Sequence, residues 1–167
     1  MMSPILSFIL TLFITFIPRV ALKECVPRNW RYAWSREGNA WFTRARGHGD
    51  FDSMMEACKE IEPGRTTLAS ILTMREQRNV VLDLPDGGWW LGGVRIGWKR
   101  WHWMSDRTSF GIRMVGLNVS GFINWGAGQP TGNLGETCLG IRTIAYNRKW
   151  GNYNCNFKFR AICQLRC

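Results

Sequence analysis

Residues 89–106 read WWLGGVRIGWKRWHWMSD, and this stretch says most about the fold. Short apolar or alternating runs, Trp89 to Leu91 and Trp101 to Trp103, are separated by glycines, which is typical of β-strands joined by turns. Trp101 and Trp103 stand two residues apart, so on a strand they would share one face. The stretch therefore predicts paired strands that carry large aromatic side chains into a core.

Two helices are predicted before this stretch, each from a capping box, in which a hydroxyl and a glutamate three residues later bond to backbone N–H groups. Ser53 with Glu56 begins the first, which ends at Pro63-Gly64. The second begins at the pair Thr73 and Glu76 and runs into the turn at 85–88. After it, further strands are predicted at Phe122 to Trp125, Cys138 to Ile144 and Phe159 to Cys163. Helices followed by strands predict an α+β domain with antiparallel pairing.

The composition is that of one folded domain, because the 167 residues are 46% hydrophobic and 20% charged. An almost unbroken apolar run between Pro4 and Pro18 is too short for a comfortable membrane span. We interpret residues 1–21 as a secretory signal peptide cleaved near Ala21, which leaves a domain of residues 22–167. An uncleaved anchor stays open as an alternative, because no basic residue precedes the apolar run.

The chain has an even number of cysteines, and secretion would place them in an oxidising compartment. Three disulfides are therefore expected. No Cys-x-x-Cys is present, and the spacings match no zinc module. Asn118-Val119-Ser120 is a permitted glycosylation acceptor. The six cysteines are Cys25, Cys58, Cys138, Cys155, Cys163 and Cys167.

The order of these signals resembles the C-type lectin-like domain family from about Trp30 to Gln164. Trp89-Trp90-Leu91-Gly92-Gly93 resembles its Trp-Ile-Gly-Leu landmark, and Trp101-His102-Trp103 with Ser105-Asp106 resembles its Trp-x-Trp-x-Asp-Gly turn, with Arg107 in place of the glycine. The other landmarks, in family order, are Cys58, Thr67-Leu68-Ala69-Ser70-Ile71, Glu76, Asn124-Trp125, Gln129-Pro130-Thr131, Cys138, Trp150, Cys155 and Ile162-Cys163-Gln164.

The resemblance implies a C-type lectin-like fold with two helices, antiparallel sheets and a long loop region. It also implies disulfides Cys58–Cys163 and Cys138–Cys155. Because the termini of that family lie close together, we further expect Cys25 to pair with Cys167. The long loop corresponds to the glycine-rich stretch between Ser105 and Glu136.

In that family, the sugar site is a calcium ion held by Glu-Pro-Asn or Gln-Pro-Asp, a later Glu, and the Asn-Asp of a Trp-Asn-Asp motif. Here the corresponding residues are Gln129-Pro130-Thr131, Glu136 and Trp150-Gly151-Asn152, so one carboxylate remains. Calcium takes six to eight oxygens and gains affinity with ligand charge. We therefore predict no functional calcium site; if calcium does bind, its ligands would be Glu136, Gln129 and Asn152. The same positions, with Thr131, are our candidate ligand contacts.

Positive charge is the other feature, with 22 Lys and Arg against 12 Asp and Glu. Beyond Asp106 there are eight basic residues and one acidic residue, Glu136. The planar fork of arginine binds sulfate, phosphate and carboxylate in bidentate fashion. We therefore expect a carbohydrate or polyanionic glycan, or an acidic protein, as partner, and no nucleic acid because the chain is interpreted as secreted. The basic ligand contacts that we predict are Arg107, Arg113, Arg142, Arg148 and Lys149.

Three other functions are weighed against this one. The Trp90-Leu91-Gly92-Gly93 form, the Gln-Pro and the basic character resemble in part the eosinophil major basic proteins, which implies binding of sulfated glycosaminoglycans and a membrane-damaging effector. A calcium lectin with a divergent loop is a further alternative. An enzyme is not expected, because neither His48 nor His102 has an evident catalytic partner. Stable membrane insertion is not expected if the signal peptide is cleaved.

Overall fold

The computed structural model describes residues 25–97, 100–111, 121–145 and 147–166. The predicted signal peptide therefore lies outside the described residues. The helices are α1 (Phe51–Ile61) and α2 (Met74–Val81). The strands are β1 (Ser35–Glu37), β2 (Ala40–Arg44), β3 (Thr66–Leu68), β4 (Gly88–Arg95), β5 (Arg100–Trp103), β6 (Ser109–Gly111), β7 (Cys138–Arg142), β8 (Trp150–Tyr153) and β9 (Arg160–Arg166).

Helix α1 begins earlier than the sequence pattern predicts. Its N-cap is Asp50, whose carboxylate accepts from the Ser53 N–H at 2.9 Å, so the prediction of Ser53 as the cap is wrong. Gly49 exchanges two backbone hydrogen bonds with Phe159, and this long-range pairing positions Asp50 at the start of the helix. The helix then turns Phe51, Met54, Cys58 and Ile61 into the core.

The carboxylate of Asp50 also accepts from Lys158 Nζ at 2.6 Å. This hydrogen bond, followed by those from Ser53, holds the pKa of Asp50 well below its ordinary value. A depressed pKa contributes stability that is present above the ordinary value and is lost as the pH falls through the folded value. We therefore expect part of the acid sensitivity of this protein to arise at Asp50.

We expect Asp50→Asn to lower the melting temperature at pH 7, and the difference from wild type to shrink as the pH is lowered from about 5 toward 2. Asparagine still caps a helix, so the substitution removes the charge and keeps the cap. Thermal unfolding at several pH values measures this. Asp52→Asn, in the same first turn, is the control; an unchanged gap between Asp50→Asn and wild type across that range would contradict the assignment.

Helix α2 begins where its capping box predicts. The Thr73 hydroxyl accepts from the Glu76 N–H at 3.0 Å, and the Glu76 carboxylate accepts in return from the N–H of Leu72, at 2.5 Å. Glu76 also lies 3.4 Å from Arg166 Nη2 on the last strand. The cap of α2 is thus tied to the C-terminal strand.

The described strands form one branched sheet with the main order β1-β2-β9-β4-β5-β6. Strand β3 pairs with β9, and β7 pairs with both β4 and β8. Every pairing is antiparallel except that of β4 with β9, where Trp89 lies opposite Arg160. The expected α+β class is observed, with this one parallel contact added. The sheet places β8 and the start of β7 side by side, and Asn152 on β8 contacts residues 129–136 at the end of the long loop.

Two hydrophobic clusters lie on either side of β4. Trp89 and Leu91 pack into one cluster and Trp90 into the other, as alternation along a strand requires. Gly92 allows a close approach, because a Cβ there would lie 2.8 Å from the carbonyl oxygen of Leu68. At Gly93 a Cβ would lie 2.6 Å from Leu139. The two glycines of the opening stretch therefore permit the packing of β4 against its neighbours.

Two of the three expected disulfides are confirmed. Cys58 on α1 bonds to Cys163 on β9, and Cys138 on β7 bonds to Cys155. Cys167 lies outside the described residues, so its pairing with Cys25 stays a prediction.

One predicted strand is wrong, and five of the described strands were missed, namely β1, β2, β3, β6 and β8. Because β1 and β2 precede α1, the expected order of helices followed by strands is also wrong. Phe122 to Trp125 is not a strand: within it, Trp125 makes an isolated bridge to Trp150. The stretch meets β8 through Trp150 alone, whose backbone exchanges hydrogen bonds with Asn124 and Gly126. Its aromatic rings pack on the core, since Phe122 and Trp125 lie 5.5 and 5.8 Å from the Trp150 ring. Strands β1, β3 and β6 have three residues each, too few for a sequence pattern to reveal.

Candidate functional site

The long loop ends in a cluster of four polar side chains, which we call the loop network: Gln129, Thr131, Glu136 and Asn152. The peptide bond between Gln129 and Pro130 is cis. These are four of the positions predicted from the sequence as ligand contacts, three in the long loop and Asn152 on β8. The structure brings them into mutual hydrogen-bonding distance.

Asn152 is the centre of the loop network and is only 2% exposed. It lies on β8 opposite Leu139, and its backbone N–H donates to Gln129 Oε1 at 3.0 Å. Its side-chain Oδ1 accepts from the Thr131 N–H at 2.6 Å. Its Nδ2 donates to Thr131 Oγ1 at 2.9 Å and to Glu136 Oε2 at 3.1 Å. Both ends of this amide are therefore engaged by the loop.

Glu136 supplies the single carboxylate of the loop network. Its Oε2 accepts from the hydroxyl of Thr131 at 2.5 Å as well as from Asn152. A turn at Asn133 positions it, because the Glu136 N–H donates to the Asn133 carbonyl at 3.2 Å. The carboxylate of Glu136 thus accepts hydrogen bonds from two other side chains of the loop network.

Gly151 lies directly before Asn152, and Tyr153 occupies the space beside it. A Cβ on Gly151 would lie 2.7 Å from the hydroxyl oxygen of Tyr153, so the tyrosine occupies the space that a side chain at 151 would need. The resemblance places an asparagine ligand at this position. Restoring that ligand would require Tyr153 to move.

The residues of the loop network do not fit a calcium ion. Calcium needs six to eight oxygens, and the network presents one carboxylate whose Oε2 already accepts two hydrogen bonds. Rotating the Asn152 amide to offer its oxygen would place its NH2 against the Thr131 N–H, donor against donor. Among the described residues, no group of three or more His, Cys, Asp or Glu side chains is arranged to hold a metal.

Of the predicted basic contacts that the structure describes, none has a hydrogen bond to the loop network. Arg107 lies in the turn after β5 with φ of 59°, the left-handed conformation that explains why the resemblance has glycine there. Arg142 and Lys149 are exposed on either side of the β7–β8 turn. Arg113 and the glycosylation acceptor Asn118 lie outside the described residues, so both stay predictions.

Arg148 is directed into the molecule. Its Nη1 donates to the carbonyl of Val81, the last residue of α2, at 3.2 Å and to that of Leu84 at 2.8 Å. Its own carbonyl accepts from Gln77 at 2.9 Å. The guanidinium therefore satisfies carbonyls at the end of α2, a position that also favours positive charge.

We expect Arg148→Ala to lower the free energy of unfolding by about 2 kcal/mol, because it removes charged hydrogen bonds to half-buried carbonyls. Lys149→Ala makes the same charge change on the next residue, which is exposed, and should cost less than about 0.5 kcal/mol. Urea unfolding of both variants measures this. Equal losses would show that Arg148 does not hold α2.

Arg95 is the basic residue that lies against the loop. It ends β4, and its Nη2 donates to the carbonyl of Asn133, while its N–H donates to the carbonyl of Thr137 at 2.9 Å. Arg95 is not among the ligand contacts predicted from the sequence. A partial signal was present, since Arg95 is one of several basic residues that precede the long loop in the sequence, but its proximity to Asn133 depends on tertiary structure.

No family model matches the chain. A curated relative, lithostathine-2 of Mus musculus, is 26% identical over 116 residues, which are 65% of this chain and 59% of that protein. The match thus spans less than two thirds of that relative's length.

Solved structures are similar over most of the chain. The C-type lectin domain of murine dendritic cell inhibitory receptor 2 in complex with N-glycan has a TM-score of 0.66 at 18% identity, covering 85% of this chain and 99% of that one. A calcium-independent type II antifreeze protein has a TM-score of 0.64 at 20% identity, covering 84% and 94%. The chain therefore has the C-type lectin-like fold, as its sequence landmarks predict.

In the part of the chain that the structure describes, no helix has both the length and the apolar character that crossing a membrane requires.

Proposed function

We propose that this protein is a secreted binding module that recognises an anionic ligand, a carbohydrate in the first instance, without calcium. The observation that carries the proposal is the loop network. Thr131, Glu136 and Asn152 satisfy one another directly, so side-chain hydrogen bonds hold the loop where a related domain would use a metal ion.

The expected ligand charge follows from the arginines. Arg95 lies beside the loop, and Arg100 is exposed at the start of the neighbouring strand β5. Glu136 is the one acidic residue beyond Asp106 and is already engaged by two donors. A negatively charged group such as sulfate or carboxylate would be attracted to this region, whereas a second cation would be repelled.

The comparisons support each half of the proposal separately. The similar domain of the murine receptor was solved with an N-glycan, which supports a carbohydrate partner. The similar antifreeze protein is described as calcium-independent, which supports a loop of this fold that does without the metal. The ligand of the present chain is inferred from its own residues.

A glycan array with neutral and sulfated sugars, probed with the folded protein at physiological salt, tests this function. Sulfated or carboxylated sugars should bind equally with calcium and with chelator. Arg95→Gln should weaken that binding about tenfold, the effect of losing a charged hydrogen-bonded contact, and Arg78→Gln, the same change on exposed α2, should alter it less than twofold. Binding of neutral sugars that chelator abolishes would overturn the proposal.

A calcium titration provides a second test. The wild type should show no calcium-dependent rise in melting temperature at 5 mM, a calcium concentration of the order at which weak extracellular sites fill. The double variant Thr131→Asp, Asn152→Asp supplies two more carboxylates and should acquire such a rise. A rise already present in the wild type would contradict the metal-free assignment of the loop network.

A further inference from the structure

The N-terminal hairpin carries an exposed aromatic surface, which we call the Trp30 surface and define as Trp30, Arg36 and Trp41. Arg36 and Trp41 lie directly opposite each other on β1 and β2, and the guanidinium carbon of Arg36 is 5.6 Å from the centre of the Trp41 ring. The ring of Trp30 meets Trp41 edge-on, with centroids 6.4 Å apart and an angle of 89°. Trp41 therefore contacts both Trp30 and Arg36, and the three side chains form one continuous patch.

Trp30 differs from the tryptophans of the core. Five described tryptophans are almost fully buried, whereas Trp30 is 66% exposed. The core does not need the Trp30 ring, since most of it lies in water, and a large exposed apolar ring is more informative than a buried one. The sequence alone does not separate it from the others.

The Trp30 surface is also held in place. The indole N–H of Trp41 donates to the carbonyl of Cys25 at 2.9 Å, which anchors the ring against which Trp30 stands. Trp41 itself is half-buried on a strand paired with β9. A ring supported in this way loses little conformational freedom when a ligand covers it.

The charge around the Trp30 surface is strongly positive. Residues 28–46 contain five arginines and one acidic residue, Glu37. Glu37 is buried, and its carboxylate accepts from Asn79 Nδ2 at 2.9 Å and lies 3.3 Å from Arg75 Nε. Its negative charge is therefore paired with residues of α2. In the described part of the chain, the ion pairs do not involve Arg28, Arg31 or Arg36, all of which are exposed.

We propose that the Trp30 surface is a second ligand site, separate from the loop, that binds an acidic oligosaccharide. Trp30 would stack on the apolar face of a pyranose ring, while Arg36 and the neighbouring Arg31 bind its sulfate or carboxylate groups. Trp and Arg are also the side chains that dominate binding energy at protein surfaces. The inference rests on the proposed function only for the class of ligand.

The site is accessible and lies away from the loop. Strand β1 is the edge of the sheet, and β2 and β9 separate it from β4. At about 4.8 Å per strand, Arg36 on β1 is roughly 14 Å and Trp41 on β2 roughly 10 Å from β4 in the plane of the sheet. A single short oligosaccharide can therefore occupy one site without the other.

A polymer of sugars fits better than a lipid surface. Insertion into a bilayer interface uses several apolar side chains that protrude together. On the hairpin, Trp30 is the one strongly exposed large apolar residue among the described positions, and the arginines are spread from 28 to 46. A sugar polymer with negative charges repeated along its length can contact several of these arginines at once, as heparin does with basic stretches.

The test compares two soluble probes, a heparin-derived octasaccharide and a short polyphosphate of similar charge, at physiological salt. Trp30→Ala leaves the net charge unchanged and should weaken octasaccharide binding about tenfold while changing polyphosphate binding less than twofold. Arg36→Gln should weaken octasaccharide binding several-fold. Arg78→Gln, with the same loss of charge on α2, is the matched control and should have less than a twofold effect.

Trp30→Ala is expected to fold, because the side chain is mostly in water, and its melting temperature verifies this. Octasaccharide binding unaffected by Trp30→Ala, or weakened equally by Arg36→Gln and Arg78→Gln, would overturn the site and indicate only general charge attraction. Trp30-dependent binding to phosphatidylserine vesicles with none to the octasaccharide would also overturn it. Loss of binding in Arg95→Gln but not in Trp30→Ala would leave the proposed function standing without this second site.

Discussion

Replacing Glu62 by alanine is expected to lower the free energy of unfolding by about 3–5 kcal/mol, the range for breaking a buried ion pair. Glu62 follows α1 and is 6% exposed. Its carboxylate accepts from Arg65 Nη1 at 2.5 Å, from the Asn29 N–H at 2.8 Å and from the Arg28 N–H. It therefore fastens the N-terminal segment to the end of the helix.

The loss arises because three donors would be left without their acceptor, one of them the charged guanidinium of Arg65. Urea unfolding followed by tryptophan fluorescence measures it. Glu56→Ala is the matched control, since Glu56 is an exposed glutamate of the same helix paired with Lys59 at 2.7 Å, and it should cost at most about 1 kcal/mol. Similar losses in the two variants would show that the buried carboxylate is not an anchor.

Removal of the Cys58–Cys163 disulfide is the second large effect. The bond joins α1 to β9 across 105 residues, and the chain-entropy model gives about 4–5 kcal/mol for a loop of that length. The Cys138–Cys155 bond closes 17 residues and should contribute about 3 kcal/mol on the same model. The double variant Cys58→Ala with Cys163→Ala should therefore lose more stability than the double variant Cys138→Ala with Cys155→Ala.

Equilibrium unfolding of both double variants under non-reducing conditions measures the difference. A variant that does not fold can be compared by titrating the wild type with reductant and following which bond opens with loss of structure. A larger loss for the Cys138–Cys155 pair would contradict the loop-length argument and show that local packing outweighs chain entropy at these sites.

Local signals predicted the helices well, and long-range contacts account for where they failed. Thr73 caps α2 as its capping box predicts, because both partners of that cap lie within four residues. The cap of α1 is Asp50, since the pairing of Gly49 with Phe159 sets the start of the helix. A contact between residues about 110 positions apart cannot be read from a local pattern.

For the loop network, too, the positions were predictable from the sequence but the contacts between them were not. The resemblance identified Gln129, Thr131, Glu136 and Asn152 as the relevant positions. It did not reveal that the Asn152 amide is engaged at both ends, because Thr131 N–H and Asn152 Oδ1 are 21 residues apart in the chain. Arg148 illustrates the converse, since a basic residue beside an exposed lysine turns inward to the carbonyls of α2.

By itself, the sequence determined the α+β class, the lectin-like order of landmarks, the loss of all but one carboxylate at the loop and the positive charge. These depend on residue type and order, which a chain displays directly. The tertiary structure alone decided which polar atoms pair, which arginine is structural and which tryptophan stays in water. Burial and hydrogen-bond geometry depend on neighbours brought together from distant parts of the chain, and only the folded sheet supplies them.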